Sequence, residues 1–394
     1  MKRQKIRVLL VGPTSPPYAG IEAATESLLA GLEVTGGVLW RHLNTQKPVP
    51  NALRGRFTLT NLMWACRHVL RMMWLCISFR PDIIHLPIAH NRLGFLRDAC
   101  LVACGKLVGA RLLLQAHNDS YDKFVLSQPA VLRGAIVGMY RLASVIAVQG
   151  ASLRGQFDRL GLGQRVLILT NHLEIAKFRR ACRDRRDSEP LRVLLLGRVS
   201  IAKGAWDLAR AAAEASRRVN RPIDLVLTGE VVANDASVAH LADKSRHVPT
   251  LIRGLLGNGA SALQVSYVGV LDESGKLREL GKAHVLALPS YSEALPYAVL
   301  EGAAGGLPIL ATDVGMIPEL RHRGLRGVFV RPGDLEGLTT ALVALMDPIQ
   351  RAADGSSNAE FAEREFDQAL LPERLTSLYE HVMRRGAGIA LGAL

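Results

Sequence analysis

Two glutamates eight residues apart, Glu293 and Glu301, lie in the run PSYSEALPYAVLEGAAGGLPILATDVGMIPE from Pro289 to Glu319. Pro296, between them, is suited to open a helix because its φ is already helical. The helix then fits AVLEGAAGG, with Gly305 and Gly306 ending it. LPILATD reads as a buried strand and VGMIPE as a loop into another helix. Glu293 is therefore expected in a strand-to-helix loop and Glu301 in the helix behind it. In open α/β sheets such loops, at the carboxyl ends of strands, are where ligands bind. A carboxylate there accepts hydrogen bonds from sugar hydroxyls, and the free N–H groups of a helix start hold anions or hydroxyls.

The E-x7-E pair, set in PS..E..P...LE..A.G.P..ATD.G..PE, resembles the donor-binding motif of retaining glycosyltransferases of the GT-B fold, above all the large family numbered 4 in sugar-transferase classifications. A second stretch, LRVLLLGRVSIAKGAWDLARAAAEA (191–215), is similar to the family's GR....KG motif through Gly197, Arg198, Lys203 and Gly204. A leaving nucleoside diphosphate develops negative charge, and a guanidinium and an ammonium at a helix start gain most as that charge grows. The resemblance implies that Arg198 and Lys203 stabilise the diphosphate. It implies that Glu293 binds the sugar hydroxyls beside the backbone of Ala294 and Leu295, and that Glu301 binds the ribose. Catalysis would rest on His117, Arg198, Lys203 and Glu293.

Stepping along the chain, IRVLLVGP (6–13), the loop TSPPYAG and a helical run read as the first unit of a doubly wound sheet. That loop resembles the family's G..PP..GG.E, with Ala19-Gly20 for the usual Gly-Gly, and Gly20 would let backbone approach the donor phosphate. RPDIIHLP (80–87) and ARLLLQAHNDSYD (110–122) are further strands. The resemblance implies that His117, just past the second, sits at an interdomain cleft near the anomeric carbon; a histidine after a strand is otherwise a structural residue. VLILTNHLEIAKF (166–178) resembles the element in which Asn171 closes the first sheet, and His172, in place of a glycine, is assigned no role. On a helical wheel of residues 54–80, Thr60, Trp64, Arg67, Arg71, Trp74 and Ser78 share one face. That face suits a lipid interface, or else is the solvated stripe of a helix covering the sheet.

The charged stretch 180–190 is the natural linker. The expected fold is α/β GT-B, two Rossmann-like domains facing across a cleft. Residues 1–185, with the C-terminal helix 369–394 crossing back, form an acceptor-binding domain, and 186–368 a nucleotide-sugar-binding domain. Three places depart from the family: Gly229-Glu230-Val231 for Gly-x-Gly, Ala294 for a common glycine, and Met316, which could change donor or acceptor fit. Residues 231–262 read as a variable insert. The end of VSYVGVLD (265–272) would carry the nucleotide base.

Length fits two domains at 394 residues. The five cysteines, 66, 76, 100, 104 and 182, have no zinc spacing and read as buried thiols in a reducing compartment. Residues 1–187 carry 27 Lys+Arg against 11 Asp+Glu, or +16, and residues 188–394 carry 22 against 24, or −2. The basic half is expected to face membrane headgroups, a lipid-linked phosphate or nucleic acid, unless the chain is simply arginine-rich. No signal peptide, transmembrane run, P-loop, HExxH or Asp-x-Asp metal pair occurs in the sequence. The expectation is a cytoplasmic, metal-free and cofactor-free hexosyltransferase, peripheral on the inner membrane face. It would move sugar from a UDP-, GDP- or ADP-linked donor to a lipid-linked or polysaccharide acceptor, without a nucleic-acid partner. The alternatives are a nucleotide-sugar epimerase of the same fold and a catalytically silent membrane-binding relative.

Overall fold

The computed structural model describes residues 5–16, 20–47, 58–183, 190–232 and 263–385. The chain forms two compact units, residues 1–172 with 368–394, and residues 173–367.

In the first unit, alternation of strand and helix builds β1 (Ile6–Gly12), α1 (Gly20–Val34), β2 (Val38–Asn44), α2 (Leu59–Phe79), β3 (Ile83–Pro87), α3 (Arg92–Leu107) and β4 (Arg111–Gln115). They are followed by α4 (Tyr121–Leu126), α5 (Ala130–Arg141), β5 (Val145–Val148), α6 (Gly155–Asp158) and β6 (Val166–Ile168). The six strands are parallel, in the order β2-β1-β3-β4-β5-β6. Strands such as β3 are buried throughout, as a sheet covered on both faces requires. The last helix, α14 (Leu371–Arg385; α7–α13 follow below), lays Leu371, Leu375, Tyr379 and Val382 into this core. Each such side chain contributes roughly 1.5–3 kcal/mol, which anchors the end of the chain on the first sheet. Beneath it His85 bonds the Tyr379 hydroxyl at 3.1 Å and Gln115 Oε1 at 3.0 Å.

In the second unit, α7 (Ile175–Cys182) precedes β7 (Leu191–Leu196), α8 (Ala205–Val219), β8 (Ile223–Thr228), β9 (Leu263–Tyr267), α9 (Glu273–Lys282) and β10 (Val285–Leu288). Then come α10 (Tyr297–Ala304), β11 (Ile309–Thr312), α11 (Ile317–Arg323), β12 (Gly327–Val330), α12 (Leu335–Ala344) and α13 (Pro348–Phe366). This sheet is also parallel, in the order β12-β11-β10-β7-β8-β9. The chain starts in the middle at β7, winds out to β9, then returns to the other side of β7 with β10. The switch point, where neighbouring crossovers leave in opposite directions, is therefore between β7 and β10.

Three sequence expectations change. The boundary lies earlier than the linker reading placed it: α7 buries Ile175, Phe178 and Cys182 and packs on α9, α10 and α13, so residues 173–183 go with the second unit. Cys66 and Cys100 are exposed, because they fall on outward faces of α2 and α3, while Cys76, Cys104 and Cys182 are buried; all five are free thiols. Met316 is fully buried, so it fills core rather than a binding surface. Residues 184–189 of the linker and 233–262 of the insert lie outside the described residues.

The loop after β10 is approached backbone to backbone by the loops after β7 and β11. Gly204 has φ +66°, and a Cβ there would stand 2.1 Å from the Pro289 carbonyl oxygen. Gly315 has φ +56°, and its Cβ would stand 1.9 Å from the Glu293 carbonyl oxygen. The glycine this turn needs is thus Gly315, next to Met316, whose N–H donates to Ala294 O at 2.9 Å. Urea unfolding tests the contrast. Gly315→Ala should cost about 2 kcal/mol or more. Gly138→Ala, in open space on α5, should be neutral or stabilise by about 1 kcal/mol.

Candidate functional site

Ligands of open α/β sheets sit at the carboxyl ends of strands, at the switch point. In the second unit that place is formed by the β7–α8 and β10–α10 loops. After β7, Ser200 caps a 3-10 turn, Ile201–Lys203, by accepting from the Lys203 N–H at 3.3 Å. After β10, the loop reaches Pro296, immediately ahead of α10. The two are sewn together by the Tyr291 N–H donating to Ala202 O at 2.9 Å and the Tyr291 hydroxyl donating to Asp207 Oδ2 at 2.7 Å.

On this frame Lys203 Nζ pairs with Glu293 Oε1, and Ser290 Oγ donates to the same oxygen at 2.7 Å. Both side chains are mostly buried. Glu293 Oε1 is thereby fixed, and Oε2 has no hydrogen bond among the described residues, leaving it open to a hydroxyl. Arg198 is exposed and has no ion-pair partner among the described residues. Its charge stands just past the end of β7. Ala294 and Leu295 are buried just before α10, so their backbone, more than their side chains, faces this loop. The arrangement offers two cations for a phosphate and one oriented carboxylate for hydroxyls.

Glu301 lies deeper, buried in α10, where Lys276 of α9 pairs with it. Lys276 also stands 5.7 Å from the Phe178 ring centroid, and Lys177 stands 5.4 Å from the same ring. After β9, Val268 and Val270 are exposed, an apolar shelf at the end of the strand. Val231 forms a bridge with Val199, so the departure from Gly-x-Gly extends the sheet rather than opening a loop.

In the first unit Gly20 begins α1, exposed; residues 17–19 of its loop lie outside the described residues. His117 follows β4. Its N–H donates to the Tyr121 oxygen at 3.3 Å, and its Nδ1 faces Gln149 Nε2 at 3.4 Å. Gln149 also donates to Asn171 Oδ1 at 3.0 Å. Burial pulls its pKa down to about 4. His117 is therefore a neutral imidazole at pH 7, a hydrogen-bonding group and not a charge. His172, given no role from sequence, is buried against Arg374 at 2.8 Å, with its pKa lowered to about 3 by burial and then by that cation.

The sequence reading thus found Lys203, Glu293, Arg198, Ala294 and Leu295 at the loops of one switch point. It missed Ser290 and Tyr291, which lie in the same short loop, and Lys276, for which no linear spacing points to Glu301.

Residues 190–348 match the model of the family described as Glycosyl transferases group 1. Over this stretch the chain is similar to the group 1 glycosyltransferases. Glycogen synthase of Mycobacterium tuberculosis is 29% identical over 278 residues, 68% of this chain and 61% of that protein. The chain thus matches less than two thirds of that relative's length. Among solved structures, sucrose-phosphate synthase from Thermosynechococcus elongatus has a TM-score of 0.71 at 17% identity, covering 96% of this chain and 100% of that one. HepE from Anabaena, in complex with UDP and glucose, has a TM-score of 0.67 at 15% identity, covering 95% and 100%. At these identities the likeness establishes the fold, which is GT-B.

The buried histidines of the first unit make its stability acid-sensitive. His85 and His172 have pKa values lowered to about 3, and His68 and His117 to about 4, burial being the largest cause for each. Unfolded, each takes up a proton near pH 6.5. Between there and the folded value the unfolded chain binds more protons, so stability is full above pH 6.5 and falls as pH drops. Each group should remove up to about 1.4 kcal/mol per pH unit in that window. Urea unfolding at pH 7 and pH 5 should show the loss, with a shallower slope in His85→Gln; a flat profile would contradict the neutral assignments.

Proposed function

We propose that the chain is a retaining hexosyltransferase that takes sugar from a nucleotide-sugar and passes it to a lipid-linked or polysaccharide acceptor, in the making of cell-surface polysaccharide. The observation that carries this is the Lys203–Glu293 pair held at the switch point of the second sheet, with exposed Arg198 on the same β7–α8 loop. Bound there, a nucleoside diphosphate would meet Arg198 and Lys203, the sugar hydroxyls Glu293 Oε2 and the backbone at Ala294 and Leu295. Glu301 would meet the ribose, its carboxylate held in place by Lys276, and the base would rest on Val268 and Val270.

The chemistry follows from the charges. As the bond from the anomeric carbon to the phosphate oxygen breaks, negative charge grows on the diphosphate, and the guanidinium and ammonium stabilise it increasingly. The leaving phosphate oxygen takes the acceptor's proton on the face of attack, so the anomeric configuration is retained and no side-chain base is needed. Two protein cations fill the role that a divalent ion fills elsewhere, so the reaction would be metal-independent and need no cofactor. In the first unit Gly20 and the neutral His117 would serve the reaction centre and acceptor as hydrogen-bonding groups. The enzyme would work in the cytoplasm, on the inner face of the membrane. UDP in HepE and the polysaccharide product of glycogen synthase support the donor and acceptor classes.

Thermal unfolding with UDP, GDP and ADP tests the reading. At about 100 times its Kd, the right nucleotide should stabilise the protein by about 2.7 kcal/mol, or roughly 5–10 °C in Tm. Lys203→Ala should lose most of that shift. No shift with any nucleotide would refute the donor site.

A further inference from the structure

Helix α2 is two helices in one. Its inner face buries His68, Met72, Leu75 and Cys76. At 3.6 residues per turn, Leu59, Met63, Leu70, Met73, Trp74 and Ile77 fall on the opposite side, and all are exposed, Leu70 by 66%, Trp74 by 66% and Ile77 by 68%. The face expected from sequence is a neighbouring one: Arg67, Arg71 and Ser78 line one edge of this apolar stripe, and Trp64 turns partly inward, 5.6 Å from the Arg67 guanidinium. A helix over a sheet needs one apolar face; this one has a second, exposed along its length.

We infer that this outer face of α2 lies in the surface of an anionic bilayer. This deepens the membrane part of the reading above and rests on it. Charge selects the occupant. The first unit carries 24 Lys+Arg against 10 Asp+Glu, the whole net +14 of the chain, while the second carries 25 of each. Between Glu33 and Asp82 there is no acidic residue, but there are Arg41, Lys47, Arg54, Arg56, Arg67, Arg71 and Arg80. A second copy docked by the same face would bring Arg67 and Arg71 of the two helices together with no carboxylate on either helix to answer them. An anionic lipid surface answers both features: the aliphatic side chains and Trp74 enter the boundary between headgroups and acyl chains, and the arginines extend to lipid phosphates. Among the described residues no helix is long and apolar enough to cross a membrane, so α2 would lie in the plane of the surface.

Flotation of the full chain tests this, with vesicles of phosphatidylcholine alone or mixed about 3:1 with phosphatidylglycerol, at roughly 0.15 M salt. Wild type should float with the anionic vesicles and far less with the neutral ones. Trp74→Glu/Ile77→Glu should weaken binding at least about tenfold. Arg67→Gln/Arg71→Gln, which keeps the apolar stripe, should bind more weakly and lose its residual binding as salt rises. The thermal shift with nucleotide, measured on the same proteins, should be unchanged, so loss of the membrane contact and failure of the donor site read out separately. Wild type that stays unbound, or a Trp74→Glu/Ile77→Glu variant that floats like wild type, would overturn the inference. So would sedimentation showing a lipid-free dimer that this variant dissociates, since the face would then belong to a second copy.

Discussion

The second unit depends on how closely two loops can approach at the middle of its sheet. β7 and β10 are neighbours that lie far apart in sequence, and their crossovers leave in opposite directions, so the loops at their carboxyl ends face each other over an open notch. Gly204, after β7, stands so close to the Pro289 carbonyl that a Cβ would clash with it, and Gly315, after β11, stands equally close to the Glu293 carbonyl from the other side. Side chains at those positions would push the loops apart, and Lys203 would no longer reach Glu293. The ion pair is thus a consequence of backbone packing. Its partners are held before a ligand arrives, which reduces the ordering cost of binding.

The two units divide the electrostatic work. The second has as many acids as bases, and its cations are mostly paired: Arg192 with Asp224 and Glu279, Arg218 with Glu214 and Glu336. Against that background Arg198 is an exposed cation at the switch point. The first unit carries all the net charge and buries neutral histidines, among them His85 and His117, beside a few paired carboxylates such as Asp98 with Arg97. On the function proposed, a nearly neutral unit would suit a soluble anionic donor and a strongly basic one an anionic surface.

Much of this was legible in the sequence. Parallel strands are buried on both faces and read as apolar runs, so IRVLLVG and LRVLLLG announced β1 and β7, and the loops after them followed. Arg198, Lys203, Glu293 and Glu301 stood out because their neighbours carry turn and helix-start residues. What was not legible depends on pairing across the sheet or between helices. Lys276 meets Glu301 only because α9 and α10 pack side by side. The neutrality of His117 comes from burial, which a lone histidine after a strand does not reveal. The domain boundary was misplaced because α7 is charged in sequence, yet three of its residues, Ile175, Phe178 and Cys182, fasten it to the second unit. The periodicity of α2 gave the arginine edge but not the apolar stripe beside it, since a helix that is apolar nearly all round does not say which side the sheet takes.

The central claim is that Lys203 holds the diphosphate and Glu293 the sugar. Isothermal titration of a nucleoside diphosphate and of its nucleotide-sugar, in wild type, Lys203→Met and Glu293→Gln, separates the two roles. Lys203→Met should weaken both ligands, by roughly tenfold or more for a lost charge-assisted bond. Glu293→Gln should weaken the nucleotide-sugar and leave the free diphosphate nearly unchanged. If Glu293→Gln weakened both equally, or neither, the carboxylate would not be reading the sugar and the account would fail.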